Sequence, residues 1–298
     1  MPLDADRALK PLKRLRKTLK RFPRQPSPEQ VHDLRTSTRK IEATLEALAL
    51  HSNRSGRRLL NEIARVRKPA GKVRDMDVLT GFASTLDADG ERECAVELLE
   101  YLGVRRYRQA RKLRTAVKQY HPQLRRHLQR SSRKIEKLMS KADKGKTNSH
   151  DSGSEAAALA LQLAQELRGP AHLDRNNLHP YRLKVKELRY VLQLGGDAAD
   201  QQLIEELGKV KDAIGEWHDW GELIAIASDV LKHDGQCKLI SEIKRIHQQK
   251  YNDGLEITNR MRSEYLGGIG EQRRRGARGK RAAEVGKPVL VAASRIAA

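Results

Sequence analysis

A histidine-led basic helix occurs twice in this chain, 147 residues apart, and the repetition constrains the fold more than any other feature. The first copy runs Val31-His32-Asp33-Leu34-Arg35-Thr36-Ser37-Thr38-Arg39-Lys40-Ile41 and the second Leu178-His179-Pro180-Tyr181-Arg182-Leu183-Lys184-Val185-Lys186-Glu187-Leu188. At about 100° per residue, His32, Arg35 and Arg39 fall within an arc of roughly 60°, opposite Leu34, Ile41, Leu45 and Leu48. His179, Arg182, Lys186 and Arg189 form the same stripe opposite Val185, Leu188 and Leu192. Each helix therefore anchors by one face and presents concentrated positive charge on the other, an arrangement suited to a polyanion.

The echo continues downstream. Val66 to Leu79, with Gly71-Lys72-Val73-Arg74-Asp75 at its centre, lies over Val210 to Leu223, with Gly215-Glu216-Trp217-His218-Asp219, at an offset of 144. A shift of three residues between the two blocks is the size of a small loop difference, so a duplicated unit of about 130 residues is the economical reading. Apolar residues at three and four spacings predict helices over 3–19, 31–50, 57–66, 96–117 and 125–138 in the first unit. In the second they predict helices over 156–167, 178–194, 203–214, 223–231 and 239–261. Pro23, Pro26, Pro28, Gly56, Gly90 and Pro122 read as punctuation. No stretch alternates as a strand would. The expected fold is all-α, antiparallel hairpins packed into two bundles with separate cores.

The starts of the two signature helices carry capping signals. Ser27 before Pro28 with Gln30 three residues on is a capping box, and Asn176 is the candidate cap of the second helix, with Pro180 tolerated in its opening turn. His32 and His179 then lie near helix N-termini, where backbone N–H groups and the macrodipole also attract anions. An isolated histidine would as readily pack or cap locally; two of them, each with Arg at i+3, favour a shared task.

Composition sets the partner class. The 298 residues include 60 Lys and Arg against 38 Asp and Glu, a formal net charge of +22, so the partner is acidic: nucleic acid, polyphosphate or an anionic membrane surface. Two Phe, two Trp and seven Tyr do not interleave with the basic stripes as a base-stacking platform would, which favours a partner without bases. Trp217 and Trp220 read as core packing. Cys94 and Cys237 show no metal-ligand spacing and suggest a reducing compartment. The histidines form no ligand set, so no metal site and no cofactor are expected, and no Walker loop or nucleophile elbow is present. Without an 18-residue apolar run or a signal core, a soluble cytoplasmic protein is expected.

The expected organisation is a first bundle over 1–140, a Gly/Ser-rich linker over 141–155, a second bundle over 156–266, and a disordered basic tail over 267–298 containing Arg273 to Arg281. The tail adds either sequence-independent affinity or solubility alone.

The blocks His32-x-x-Arg35-x-x-x-Arg39-Lys40, Gly71 to Val78, and His179-x-x-Arg182-x-x-x-Lys186-Glu-Leu-Arg-Tyr190 resemble the CHAD family, the conserved histidine α-helical domain, over about residues 3–265. The resemblance implies two pseudo-symmetric four-helix bundles with a basic channel between them that binds inorganic polyphosphate. It assigns phosphate contacts to His32, Arg35, Arg39 and Lys40 and to His179, Arg182, Lys186 and Arg189. Neighbouring cations, Arg58, Arg65, Lys72, Arg74, Lys209 and Lys211, join the expected binding set. With no triphosphate-hydrolysing tunnel domain in the chain, it resembles the stand-alone form associated with polyphosphate granules. Two positions depart: Glu42 stands where Arg189 stands in the second copy and is expected to pair with a nearby Arg, and His218 replaces Arg74.

Polyphosphate has about one charge per phosphate and no base edges, so spaced cations suffice. Arg supplies bidentate donors and Lys a mobile point charge, and a channel between low-dielectric bundles focuses their potential. Asp75 and Asp219 are expected to cap a helix or orient Arg rather than hold a metal. A non-sequence-specific nucleic-acid binder is the second reading, supported by charge but by no reading motif. A His-dependent phosphoryl-transfer enzyme ranks last, for want of a carboxylate pair or metal to activate a nucleophile.

Overall fold

A computed structural model describes residues 4–86, 91–143, 150–195, 200–231 and 237–267. The described residues contain no strand; they form α1 (Ala5–Lys20), α2 (Pro28–Ala47), α3 (Arg54–Ala83), α4 (Arg92–Asp143), α5 (His150–Arg168), α6 (Leu178–Gly195), α7 (Gln201–Val230), α8 (Lys238–Met261) and a π-helical turn at Arg262–Leu266. Of the expected linker, 141–143 end α4 and 150–155 open α5, while 144–149 lie outside the described residues. So does the expected tail beyond Gly267.

The helices are fewer and longer than the punctuation suggests. Pro122 does not end a helix; it lies inside α4, which runs for 52 residues, and Pro69 lies inside α3. A mid-helix proline costs about 3 kcal/mol. Around Pro122 the buried side chains Leu113, Val117, Leu124 and Leu128 continue one stripe on both sides. At roughly 1.5–3 kcal/mol each, their burial outweighs the lost hydrogen bond. Buried Val66, Ala70 and Val73 hold α3 together across Pro69 in the same way. The two segments read over 203–214 and 223–231 likewise merge into α7.

Caps fix where the signature helices start. Ser27 accepts from the Gln30 N–H at 3.3 Å while the Gln30 side chain accepts from the Ser27 N–H at 2.9 Å, the reciprocal box read from the sequence. At α6 the cap is not Asn176. The Asp174 carboxylate accepts from the N–H groups of Asn176 at 2.8 Å and Asn177 at 3.1 Å, and the Asn177 side chain accepts from the Asp174 N–H at 2.9 Å. A carboxylate four residues ahead of the first helical residue outcompetes the amide because it is charged and sits at the positive end of the dipole.

Within the first half α1 packs on α2 and α4, α2 on α3, and α3 on α4; within the second α5 packs on α6, α6 on α7 and α7 on α8, with the π-turn returning to α5. The halves meet through α2 against α6 and α3 against α7. The cores are not separate. One cluster is built on Leu12, Leu34, Ile63 and Leu113, a second on Val185, Leu188, Leu207 and Ile214, and a third draws on both halves. That third cluster unites Met76 and Leu79 of α3, Leu98 and Leu102 of α4, Trp220 and Leu223 of α7, and Leu239 and Ile243 of α8. Helix length explains it: at 1.5 Å per residue α3 is about 45 Å long and α2 about 30 Å, so the ends of the long helices find no cover within their own half. Trp217 and Trp220 are both buried, and Trp220 stacks on Phe82 with ring centroids 4.6 Å apart.

Candidate functional site

The α2–α6 and α3–α7 contacts bring the two basic stripes face to face. Lys186, half-buried on α6, lies in the fields of Arg182 beside it, Arg39 and Arg35 from α2, and Lys211 from α7. Burial first, then these four cations, push the Lys186 ammonium down to about 7. Burial is the larger cause of that depression, and the surrounding cations add to it.

Arg35, Arg182 and Arg189 are each held from the helix that follows their own. The Arg35 guanidinium donates to Asp75 on α3 at 3.2 Å. Arg182 donates from Nε to the Lys211 carbonyl on α7 at 3.0 Å and lies in the fields of Asp219 and Asp212. Asp75 thus orients an arginine, one of the two roles expected for it. The glycines shared by the downstream blocks acquire a reason here. Gly215 lies directly beneath the Arg182 guanidinium, where a Cβ would come within 2.5 Å of Nη2, and a Cβ on Gly71 would meet Arg35 Nη1 at 4.0 Å. Arg189 is fixed similarly, donating from Nε to the Ile204 carbonyl at 3.1 Å beside Gly208.

The histidines occupy the same zone. His32 Nε2 lies 3.3 Å from the Thr36 hydroxyl, and the partly desolvated ring feels Arg74 from its own half and Lys211 from the other. His179 packs against His218 with the rings tilted by 47° and their centroids 4.3 Å apart, and its Nδ1 is buried with no hydrogen-bond partner among the described residues. Burial, followed by neighbouring cations, lowers the pKa of both rings below the ordinary histidine value. His218 thus takes the place beside His179 that Arg74 takes beside His32. Glu42, the acidic departure, accepts from Arg39 at 3.2 Å and from Arg67, as its position predicted. It belongs with Glu46 and Glu187 to an acidic group on the seam; burial, Glu187 and Glu42 raise the Glu46 carboxyl to about 7.

The remaining predicted residues are distributed. Lys40 and Arg189 line a cavity of about 380 Å³ together with Lys10 and Arg14 of α1. Lys40 is lowered by burial first and then by Arg189, Arg14 and Lys10. Lys10 and Arg14 were missed, although Arg7, Lys10 and Arg14 repeat the helical spacing of the signature stripe. Lys211 contacts Asp212 at 2.6 Å while its field reaches His32 and Lys186. Lys72 is exposed on α3. Arg58 and Arg65 face elsewhere, into a groove shared with Arg126 and Arg130 of α4, where Arg65 donates to the Tyr120 hydroxyl at 3.0 Å. Lys209 pairs with Glu206 at 2.6 Å on the α7–α8 side. A groove of about 770 Å³ flanked by Arg105, Arg108 and Arg111 is formed by α4 alone and gathers no second element.

Among the described residues, no helix is long and apolar enough to cross a membrane. No curated protein matches this chain. The crystal structure of the CHAD domain from the plant Ricinus communis superposes with a TM-score of 0.61 at 17% identity, over 88% of this chain and 93% of that one, a likeness of fold. The sequence profile of the CHAD domain matches residues 6–227, a span that holds both signature helices and both downstream blocks. On that match the chain belongs to the CHAD domain family.

Proposed function

We propose that this protein binds inorganic polyphosphate in a basic channel between two pseudo-symmetric four-helix bundles, α1–α4 and α5–α8. The observation that carries the reading is Lys186, ringed by Arg182, Arg39, Arg35 and Lys211 drawn from three helices and both halves. So many cations facing one another are unfavourable in the free protein, and a chain of phosphates relieves that repulsion along its length. Arg35 and Arg182, held by Asp75 and by the Lys211 carbonyl, offer oriented donors to phosphate oxygens. Lys40, Arg189, Lys10 and Arg14 extend the positive surface to one side.

We read the site as one for binding: Asp75 is held by Arg35, and Asp219 lies in the field of Arg182, so both carboxylates serve the cations beside them. Tyr190 lies among the cations, in the fields of Arg189, Arg39, Arg35 and Arg182, but a half-buried ring gives successive bases little to stack on, which favours polyphosphate over nucleic acid. Retention at polyphosphate granules in the cytoplasm is the role consistent with such a module.

The test is a comparison of two charge-matched variants by equilibrium binding of labelled long-chain polyphosphate. Arg35→Ala with Arg182→Ala is expected to weaken binding at least about tenfold more than Arg58→Ala with Arg65→Ala, since only the first pair faces the channel. Equal losses would reduce the site to net charge and overturn the reading.

A further inference from the structure

Cys237 is 146 residues from Glu91, which stands one helical turn before Cys94, and none of the three belongs to the cation cluster, yet their donor atoms all lie within 4.8 Å of one another. Cys237 precedes α8, and its thiol donates to Glu91 Oε2 at 3.0 Å across a separation of 146 residues. The same carboxylate caps α8, accepting from the Lys238 N–H at 2.7 Å through Oε1 and from the Leu239 N–H at 3.0 Å through Oε2. Cys237 is buried and Cys94, one turn along from Glu91, is half-buried beside it. The group lies at the edge of the third core, where the start of α4 meets the start of α8.

The geometry points to a binding site for a thiophilic divalent cation, Zn²⁺ being the representative, in which Glu91, Cys94 and Cys237 are the protein ligands and the ion ties the two halves together. The inference goes beyond polyphosphate binding and does not depend on it.

Two thiols and a carboxylate are the donor set that borderline-soft cations prefer over Mg²⁺ or Ca²⁺. In tetrahedral coordination with Zn–S near 2.3 Å, two sulfurs stand about 3.7 Å apart, so the present spacing closes by an ångström or so of side-chain rotation. The charge balances: both thiols lose their protons to solvent, two thiolates and one carboxylate bring three negative charges against two on the ion, and the positive end of α8 offsets the remainder. The Cys237 proton now shared with Glu91 marks where the ion would enter. A fourth position is left for water or an outside ligand, as in open rather than closed zinc sites. Spacing along the sequence hid the set, because Cys237 follows Cys94 by more than a hundred residues and only the fold brings it back.

The test uses the full chain, stripped of metal and with reduced thiols, titrated with Co²⁺ and then Zn²⁺ in the absence of polyphosphate. The expected result is a thiolate-to-cobalt charge-transfer band saturating at one equivalent and displaced by Zn²⁺. The band should fall to at most about half its intensity and its midpoint weaken at least about tenfold in Cys94→Ser, whose half-buried position keeps the fold intact, and binding should weaken at least about tenfold in Glu91→Gln. Zn²⁺ should also raise the thermal midpoint of the parent and leave that of Cys94→Ser unchanged. No thiolate band, or a band of unchanged intensity and affinity in Cys94→Ser, overturns the site. So does pairing of the two thiols into a disulfide when the reduced, Zn²⁺-loaded protein meets glutathione disulfide.

Discussion

Arg182 rests on Gly215 with no room between them: its guanidinium fills the space that any side chain at that position would need, and a Cβ would sit 2.5 Å from Nη2. The equivalent pair in the first half, Arg35 and Gly71, is looser at 4.0 Å. Gly215→Ala should therefore displace Arg182 from the Lys211 carbonyl and lower polyphosphate affinity about tenfold. Gly71→Ala should leave binding unchanged and stabilise the helix by up to about 1 kcal/mol. Isothermal titration and chemical denaturation of the two variants check both halves of the asymmetry.

Lys186 gives a second prediction, on stability. Its ammonium titrates near 7 in the folded chain, whereas a lysine in an unfolded chain titrates near 10.4. Between those values the unfolded chain holds the extra proton, so the stability of the parent should rise as pH climbs from about 7 towards 10. Lys186→Met should remove that rise and stabilise the free protein at neutral pH on the order of 1–2 kcal/mol, once solvent screening is allowed for. Polyphosphate affinity should fall at the same time, a trade of binding for stability read by urea unfolding and by titration.

How much of this was legible beforehand can be judged residue by residue. The paired stripes, the box at Ser27 and the pairing of Glu42 with arginines all follow from local spacing, which is why the sequence shows them. Pro122 misleads because the burial that overrides it involves helices elsewhere in the chain. The sequence points to Asn176 as the cap of α6, whereas the Asp174 carboxylate two residues earlier accepts the backbone N–H groups there, which only the folded turn reveals. The ring around Lys186, the third core and the meeting of Glu91 with Cys237 need knowledge of which helices touch. The repeated glycines were visible as part of the duplication, but their purpose appears only with a guanidinium lying on one of them.

The pH dependence of binding is a third prediction. His32 and His179 are held below the ordinary histidine value in the free protein, chiefly by burial and then by nearby cations, and Lys186 sits near 7. A bound polyanion favours the charged form of all three, so binding takes up protons and affinity should rise as pH falls from about 8 to 6. Lys186 should govern the upper part of that range and the histidines the lower part. His32→Gln with His179→Gln should flatten the slope below about 7, and adding Lys186→Met should flatten the rest. Calorimetry in two buffers of different ionisation enthalpy counts the protons, and zero uptake by the parent would leave the histidines with a structural role.

The central claim is that the convergent cations recognise a phosphate chain rather than any polyanion. Competition decides it most directly: labelled long-chain polyphosphate bound to the full chain at physiological salt, displaced by double-stranded DNA or single-stranded RNA at matched phosphate concentration. Polyphosphate is expected to bind at least about tenfold more tightly than either nucleic acid, with the preference retained when residues 267–298 are removed. Equal or tighter binding of nucleic acid, or a preference that disappears with those residues, would contradict the account.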